Sequence, residues 1–323
     1  MESSTPFFSA VIPVYNKGPH VARAIRSVLA QTWQNYELLL INDASTDESL
    51  EEMQKYTDPR IRILHRDTPG PGGYAARNLG IREAKAEWVA FLDADDEWYP
   101  EHLERMKELI QAYSHVKFFS CGWETSMEGR KKQDSYYQNN MHRGQHEINC
   151  EDYLRLSIKG GRPAWTGVTV ISKTIPFAPT LFPEDKQAKR GGDLHAWLKL
   201  ICSLKIMAWS PHIGAVYHRD CVNMVTKTAP ESYHLMTKDV YNGFVPTLNI
   251  KEANLLKIHL NKRLISSWVG CIMRHDKSFF LPLKLFWRGN MLFALKWSLL
   301  VFIPHSLLRF LYRMRSKYLN RDP

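Results

Sequence analysis

The sequence predicts an α/β fold in which a mostly parallel sheet carries helices on both faces. Strand-like and helix-like segments alternate regularly between residues 7 and 92, and the strand-like segments are apolar along their whole length. Strands buried on both faces produce such continuous apolar runs, and strand–helix alternation produces parallel neighbours. At 323 residues the chain can form one large domain of this class together with a smaller appendage.

The first strand, Phe7–Tyr15, is a short β-rich apolar run that Asn16–Pro19 ends. The later elements alternate between helix and strand in the same way. In order, we predict a helix at 20–31, a strand at 36–41, a helix at 47–56, a strand at 61–65, a loop at 69–73, a helix at 74–86 and a strand at 88–92. Because ligands bind beyond the carboxyl ends of parallel strands, the polar residues that follow these strands are the first candidates for a site.

Cysteine usage and the N-terminus favour a reducing compartment. The five cysteines are scattered and none forms a Cys-x-x-Cys pair, so neither a disulfide framework nor a zinc site is indicated. Residues 1–6 are polar and lack the features of a signal peptide. We therefore expect a cytoplasmic protein.

The net charge of +10 is concentrated near the C-terminus. Residues 251–323 contain fourteen lysines and arginines against three acidic residues, so the rest of the chain is close to neutral. An enzyme acting on nucleic acid more often places basic charge around its active cleft. We therefore predict no nucleic-acid partner, and an anionic surface that the C-terminal segment alone contacts.

Three carboxylates follow the fourth predicted strand, in Asp93-Ala94-Asp95-Asp96. Carboxylates this close repel one another unless a cation or solvent relieves the repulsion. Mg²⁺ and Mn²⁺ prefer oxygen ligands and keep positions open for a diphosphate. The alternative is that these acids cap a helix starting near Pro100, and the residues alone do not separate the two interpretations.

Four motifs in order resemble the signature of family 2 glycosyltransferases, which are inverting enzymes with the Rossmann-like GT-A fold. They are VIPVYN at 11–16, INDASTD at 41–47, Ala-Arg-Asn-x-Gly-Ile at 76–81 and FLDADDEWYP at 91–100. The resemblance covers residues 7–220 and implies transfer of a sugar from a nucleoside diphosphate, most often UDP, to an acceptor hydroxyl. The Gly-x-Gly-x-x-Gly turn of a dehydrogenase does not follow the first strand.

The resemblance assigns the nucleotide to residues after the first two strands. It implies that Pro13, Tyr15 and Asn16 line the base pocket. It also implies that Asp43 accepts hydrogen bonds from the base or ribose, although Asn42 stands where the family usually has a second acid. The alternative for Asp43 is a role in an Asx-turn.

The same resemblance assigns the phosphates, the sugar and the metal. It implies that Arg77 contacts the base or a phosphate, with a surface salt bridge as the alternative. Asp93 would hold the ribose or sugar, and Asp95 would bind Mn²⁺ or Mg²⁺ directly.

A second constellation, GGDLHAWLKL at 191–200, resembles the family's Glu-Asp pair followed by a helix. It aligns Asp193 with the general base that takes the acceptor's proton, while the metal stabilises the departing diphosphate. Gly192 replaces the usual Glu. The alternative for Asp193 is a helix N-cap, and Glu184-Asp185 is a competing acidic pair that lacks the following helix pattern.

Three further residues are weaker candidates. His218 would be a metal ligand or phosphate contact and Arg219 a phosphate clamp, because the family often has basic residues there; a simply hydrogen-bonded His218 is an equal alternative. Trp165 is a candidate for stacking on an acceptor sugar, although most tryptophans are packing residues. We expect the loops that select the acceptor between residues 120 and 180.

The C-terminal segment predicts membrane association. Its longest uncharged run, Trp297–Leu308, is shorter than the ~20 residues of a spanning helix. Basic residues interrupt the apolar pattern, as in amphipathic helices that lie at an anionic membrane surface. The alternative is a helical subdomain packed on the catalytic core or on a second subunit. A lipid-linked glycan acceptor at the inner face of the cell membrane would fit the first interpretation.

We therefore predict a catalytic domain at 1–228 and a basic, aromatic helical region at 229–323. One rival function is a nucleotidyltransferase that makes nucleotide-sugars, but its Gly-rich basic loop after the first strand is absent. The other is a non-catalytic membrane-associated module of the same fold. The acids at 43, 93, 95 and 193 argue against that module, because a protein without activity has no need of all four.

Overall fold

The computed structural model describes residues 5–185, 188–221, 233–274, 280–287 and 291–319. The boundary predicted at residue 228 lies outside these ranges. The strands are β1 (Phe8–Val14), β2 (Tyr36–Asn42), β3 (Ile61–His65), β4 (Trp88–Phe91), β5 (Glu97–Trp98), β6 (Phe118–Met127), β7 (Arg130–Gln133), β8 (His146–Asn149), β9 (Val170–Ser172) and β10 (Ile206–His218). The helices of this part are α1 (Gly18–Leu29), α2 (Ser49–Gln54), α3 (Tyr74–Glu83), α4 (His102–Ala112), α5 (Ser135–Asn140), α6 (Cys150–Ile158) and α7 (Gly192–Leu204).

These strands form one sheet in the order β3-β2-β1-β4-β9-β6-β10-β5, with β7 paired to β6 and β8 paired to β10. The four strands predicted from the sequence are parallel neighbours. In the other half β9 runs antiparallel to β4 and β6, and β10 runs parallel to β6. The predicted fold class, a central sheet flanked by helices, is confirmed.

Both faces of the sheet are covered, which explains the continuous apolar runs. In β1, Val11 packs on one face while Ala10 and Ile12 pack on the other, and all three are fully buried. Leu39 and Leu38 divide between the faces in the same way in β2. Complete burial of an aliphatic side chain contributes about 1.5–3 kcal/mol, so alternate residues of each strand stabilise opposite layers.

The carboxyl ends of β1, β2 and β4 meet at one edge of the sheet. The Asp43 amide donates to the Val14 carbonyl over 2.8 Å, and the Leu92 amide donates to the Val11 carbonyl over 3.1 Å. The loops after the three strands therefore start side by side. This arrangement brings together side chains that are far apart in the sequence.

Two helices after residue 232, Tyr233–Phe244 and Ile250–Arg274, pack on the sheet domain. Leu256 and Leu260 are fully buried in the same apolar cluster as Trp197 of α7. For this stretch the packed-subdomain interpretation is the one observed. The long helix is thus part of the core that supports the site.

Three helices follow, Leu281–Lys284, Met291–Ser298 and His305–Leu319. They share a smaller apolar cluster with the second half of the long helix. Among the described helices none has the length and apolar composition to cross a membrane alone. Ala294–Phe302 and His305–Tyr312 meet that test only as a pair bent by 115°.

Candidate active site

A cleft of about 180 Å³ opens where the three strands end, and we call it the edge cleft. The predicted site residues that line it are Pro13, Tyr15, Asp43, Arg77, Asp93 and Asp95. Tyr15 is 45% exposed, so its ring is accessible from the cleft. Lys17 and Tyr217, which the sequence did not single out, also line it.

Asp43 is fully buried at the base of the edge cleft. Its carboxylate accepts hydrogen bonds from the Arg66 guanidinium and from the Gly70 amide, the latter over 3.1 and 3.2 Å. The Asx-turn interpretation of Asp43 is wrong, because Asn42 is the residue that accepts the Ser45 amide, over 3.0 Å. Arg66 and Gly70 thus fix the carboxylate that is predicted to contact the base or ribose.

Asn16 lies outside the lining of the edge cleft. It adopts a positive φ of 50°, and its side-chain oxygen accepts the Thr46 amide over 2.8 Å. The Asn16 side chain thereby joins the loop after β1 to the loop after β2. Its role in the base pocket stays a prediction.

Arg77 and Asp93 form a buried ion pair between the edge cleft and the rest of the site. Arg77 is 6% exposed, so the surface salt-bridge interpretation is wrong. A second Arg77 nitrogen donates to the Gly72 carbonyl over 3.0 Å. Burial raises the pKa of Asp93 and the Asp95 charge adds to this, while Arg77 opposes both.

Asp95 and Asp96 have different environments. The Asp95 carboxylate accepts the Lys17 ammonium over 2.6 Å at the edge cleft. Asp96 is fully buried, and one of its oxygens accepts the His218 amide over 2.9 Å. Neither caps α4, because the N-cap of that helix is Glu101 and no side chain bonds to the helix end.

Asp93, Asp95 and Asp96 offer the oxygen ligands that a divalent cation prefers, although ligand atoms of all three do not lie within 4.8 Å of one another. The second oxygen of Asp96 has no hydrogen-bond partner among the described residues. Burial is the main reason why the pKa of Asp96 is raised well above its usual range, and the neighbouring charges of Asp95 and Asp93 raise it further. Oxygen ligands of this kind suit Mg²⁺ or Mn²⁺, and a cation at Asp95 would relieve the repulsion.

The two basic candidates after β10 contribute less to this geometry. The His218 ring lies 3.1 Å from a Glu97 carboxylate oxygen, which matches the hydrogen-bonded alternative. Arg219 is exposed and absent from the lining of the edge cleft. Metal ligation by His218 and phosphate binding by Arg219 stay predictions.

A different metal-ligating group lies under β10 and α4. His102, Cys121 and His212 offer ligand atoms that are all within 4.8 Å of one another, and no other such group occurs among the described residues. The cysteine spacing in the sequence, which indicated no zinc site, did not foresee this cluster. It is built from residues that are distant in sequence, so no spacing motif could have indicated it.

Asp193 lines a second cleft of about 200 Å³, which we call the Asp193 cleft. Arg77, Asp93 and Tyr217 line both clefts, so the two are adjacent. Asp193 lies in the first turn of α7, whose N-cap is Gly191 and has no side-chain cap bond. The N-cap interpretation of Asp193 is therefore wrong, and its carboxylate is placed at the cavity.

Tyr74 explains why glycine occupies position 192. The Gly192 amide donates to the Tyr74 hydroxyl over 2.9 Å. A Cβ at Gly192 would lie 2.6 Å from the Tyr74 ring and 2.7 Å from Pro183. The Tyr74 ring thus fills the space that the family's usual side chain would need, and nothing in the sequence indicated this contact.

Trp165 also lines the Asp193 cleft. Its ring centre lies 5.6 Å from that of Trp123 and 5.3 Å from that of Tyr217, in tilted arrangements. The competing acid Glu184 accepts the Asn78 amide group over 2.8 Å and does not line the cleft. Asp193 is therefore the better placed of the two acids.

Comparisons with known proteins agree with this geometry. Residues 9–163 match the family described as glycosyl transferase family 2. An uncharacterized glycosyltransferase YibD of Escherichia coli is 31% identical over 195 residues, which are 57% of this chain and 56% of that protein. A putative colanic acid biosynthesis glycosyl transferase WcaA of E. coli is 38% identical over 130 residues, 38% of this chain and 46% of that protein.

The solved structures extend the likeness to the whole fold. S. aureus TarS 1-349 in complex with UDP-GlcNAc superposes with a TM-score of 0.70 over 95% of this chain and 91% of that chain, at 16% identity. The chain spans about half the length of the two curated relatives. Its sequence motifs and its GT-A fold agree with the match of residues 9–163 to glycosyl transferase family 2.

Proposed function

We propose that this protein transfers a sugar from a nucleoside diphosphate, with UDP as the first candidate, to an acceptor hydroxyl with inversion. The observation that carries the proposal is the adjacency of the edge cleft and the Asp193 cleft, which share lining residues. A donor whose nucleotide lies in the edge cleft would present its sugar to Asp193. The bound UDP-GlcNAc in the S. aureus structure of the same fold supports a nucleotide-sugar donor.

The edge cleft offers a contact for each part of the donor. The exposed ring of Tyr15 can stack on the base, and the fixed carboxylate of Asp43 can accept from the base or ribose. Arg77 faces the same cavity with a buried charge that Asp93 orients. Lys17 adds a second cation, paired with Asp95, so two cationic side chains line the cleft in which the diphosphate is expected.

Asp193 acts as the general base in this mechanism. Its carboxylate takes the proton of the acceptor hydroxyl, and the oxygen attacks the anomeric carbon opposite the diphosphate. The bond from that carbon to the diphosphate breaks, and its electron pair leaves with the nucleotide, so no sugar–enzyme intermediate forms. A Mn²⁺ or Mg²⁺ ion held by Asp95, with His218 as a further ligand, would offset the charge of the departing diphosphate.

The acceptor is proposed to belong to cell-surface polysaccharide or glycolipid assembly at the inner face of the membrane. The E. coli relative with a putative role in colanic acid biosynthesis supports this class of pathway. The C-terminal helices support the location, because Leu283, Leu292 and Phe302 are each more than 80% exposed. Such side chains can insert at a lipid surface.

The proposed activity predicts metal-dependent release of one nucleoside diphosphate. UDP-, GDP- and dTDP-sugars are incubated with the protein and Mn²⁺, and the released nucleotide is measured by chromatography. We expect one donor to be consumed, and EDTA or Asp95→Ala to abolish its consumption. Asp193→Asn should lower the rate by about 10²- to 10⁴-fold while nucleotide affinity, measured by calorimetry, is unchanged.

The matched control is Glu184→Gln, since Glu184 lies outside the cleft lining; it should keep the wild-type rate. If no donor is consumed and no nucleotide binds in a metal-dependent way, the proposal is wrong and a non-catalytic module is favoured. Release of pyrophosphate from a nucleoside triphosphate would instead identify a nucleotidyltransferase.

A further inference from the structure

A third cavity, of about 300 Å³, opens beside the Asp193 cleft. Arg162, Leu194 and Arg263 line both cavities, so the two cavities are adjacent. No residue lines both this cavity and the edge cleft. The three cavities therefore form a series in which the Asp193 cleft separates the expected donor site from the third cavity.

The lining of the third cavity is basic, and we call it the basic pocket. The basic residues that define it are Lys159, Arg162, His259, Lys262 and Arg263. Its lining, all of it within the described part of the chain, contains no acidic residue. Cations this close repel one another, and a bound anion would relieve the repulsion.

Two separate parts of the chain supply these charges. Lys159 and Arg162 follow α6 through the turn at Gly160, where φ is 91°. Lys262 and Arg263 lie on the helix Ile250–Arg274, and Lys262 donates to the Ile158 carbonyl over 2.9 Å. The pocket therefore exists only because the long helix packs against α6.

Two of these cations have no carboxylate partner within the described structure. Lys159 and Arg162 are exposed, and neither makes an ion pair with a described carboxylate. Burial, followed by the charges of Arg263 and Lys262, lowers the pKa of His259 to about 3. A neutral His259 can donate a hydrogen bond, while the flanking cations supply the charge.

We propose that the basic pocket binds an anionic group of the acceptor, a phosphate or phosphodiester, while the accepting hydroxyl lies at Asp193. This inference rests on the proposed function. A phosphate monoester fits better than a carboxylate, because several cations surround one cavity and the monoester brings close to two negative charges and three acceptor oxygens. The donor's diphosphate does not compete for the pocket, since its expected site lies across the Asp193 cleft.

The test fills the donor site first. The full-length protein is saturated with Mn²⁺ and the nucleoside diphosphate that it releases, and glycerol 3-phosphate is then titrated by calorimetry. We expect binding to the wild type, and at least tenfold weaker binding to Arg162→Gln and to Lys262→Gln. Both side chains are exposed, so both variants should fold. Lys132→Gln, an exposed lysine on β7 outside the pocket, should bind as the wild type does.

Two further titrations separate the sources of the anion. Acetate in place of glycerol 3-phosphate should bind more weakly if the pocket selects phosphate. Vesicles containing phosphatidylglycerol should bind Arg162→Gln as well as the wild type, if the phosphate belongs to the acceptor. A vesicle-binding loss in Arg162→Gln would assign the pocket to a lipid headgroup and overturn the acceptor role.

Two further outcomes would test the acceptor role of the basic pocket. Equal affinity in Arg162→Gln and Lys132→Gln, or no binding to the nucleotide-saturated wild type, would overturn the proposal. Donor consumption by the wild type, which Asp95→Ala should abolish, reports the proposed function separately. If the protein binds glycerol 3-phosphate but consumes no donor, the basic pocket is an anion site of a protein without sugar transfer. The proposed function and the acceptor role of the pocket would then both be wrong.

Discussion

At the scale of single residues, Gly192 and Tyr74 show how the site tolerates a departure from the family pattern. The Tyr74 hydroxyl accepts the Gly192 amide at the start of α7, one residue before Asp193. Burial raises the pKa of Tyr74, and the Asp193 charge raises it further, so the phenol stays neutral beside the carboxylate. Tyr74 therefore takes the supporting position next to Asp193 from which the family's usual Glu is missing.

This packing predicts that Gly192→Ala destabilises the protein. The added Cβ would meet the Tyr74 ring at 2.6 Å, and such overpacking costs about 1–3 kcal/mol. The free energy of unfolding is measured by urea denaturation. Gly243→Ala is the control, because nothing lies within 4 Å of its Cβ and alanine is favoured over glycine in a helix by about 0.5–1 kcal/mol. Equal stability of wild type and Gly192→Ala would show that Tyr74 moves freely.

The residues that could be predicted are those placed by local pattern. Asp93 and Asp95 follow an apolar strand, and that alone puts them at the edge of the sheet. The partners of the site residues could not be predicted. Lys17 pairs with Asp95 across 78 positions of sequence and Tyr74 bonds Gly192 across 118, so both contacts depend on how the loops pack.

At the scale of elements, the parallel strands β1 to β4 could be predicted from the sequence, whereas the strands of the other half of the sheet could not. The predicted third strand, 61–65, has the bounds of β3, and the predicted helix at 74–86 overlaps α3. In contrast, β9 has three residues and β5 has two, too few to show a periodicity. β10 pairs with three strands and shifts its register along β6, which no local pattern specifies.

The long helix Ile250–Arg274 predicts a pH dependence of stability through His259. An ordinary histidine has a pKa near 6.5, whereas burial and the cations beside it lower that of His259 to about 3. As the pH falls below 6.5 the unfolded chain binds a proton that the folded chain does not. The stability contributed by neutral His259 is therefore complete above pH 6.5 and is lost progressively towards pH 3.

The measurement is the free energy of unfolding of wild type and His259→Gln at pH 7 and pH 5. One histidine changes the free energy of unfolding by about 1.4 kcal/mol per pH unit. Between pH 7 and pH 5 the wild type should therefore lose on the order of 2 kcal/mol more stability than His259→Gln. His142→Gln, at an exposed position, should behave as the wild type. An unchanged pH dependence in His259→Gln would mean that the folded protein protonates this residue.

At the scale of the whole molecule, described basic residues of the C-terminal segment lie on two different surfaces. Lys262 and Arg263 belong to the basic pocket, whereas Lys284 and Lys296 are exposed beyond the long helix. The charge count of the C-terminal segment thus indicated an anionic partner. The charge count could not indicate that Lys262 and Arg263 lie beside the Asp193 cleft, because their position depends on the packing of the long helix on α6.

The remaining exposed surface predicts binding to anionic membranes. Leu283, Leu292 and Phe302 are 82%, 84% and 81% exposed, and burying each in lipid would contribute about 1.5–3 kcal/mol. Lys284 and Lys296 lie among them and would add attraction to anionic headgroups that salt weakens. We therefore expect the protein to sediment with vesicles containing phosphatidylglycerol, more strongly at low salt, and less with phosphatidylcholine alone.

The triple variant Leu283→Gln, Leu292→Gln, Phe302→Gln should reduce vesicle binding by more than tenfold, because it removes most of that apolar contribution. Met127→Gln with Met141→Gln is the matched control, since these residues are 53% and 49% exposed on the sheet domain. The mass in solution is measured alongside by light scattering. If the triple variant binds vesicles as the wild type does, or if it converts a dimer to a monomer, the exposed helices contact a second subunit and the membrane interpretation is wrong.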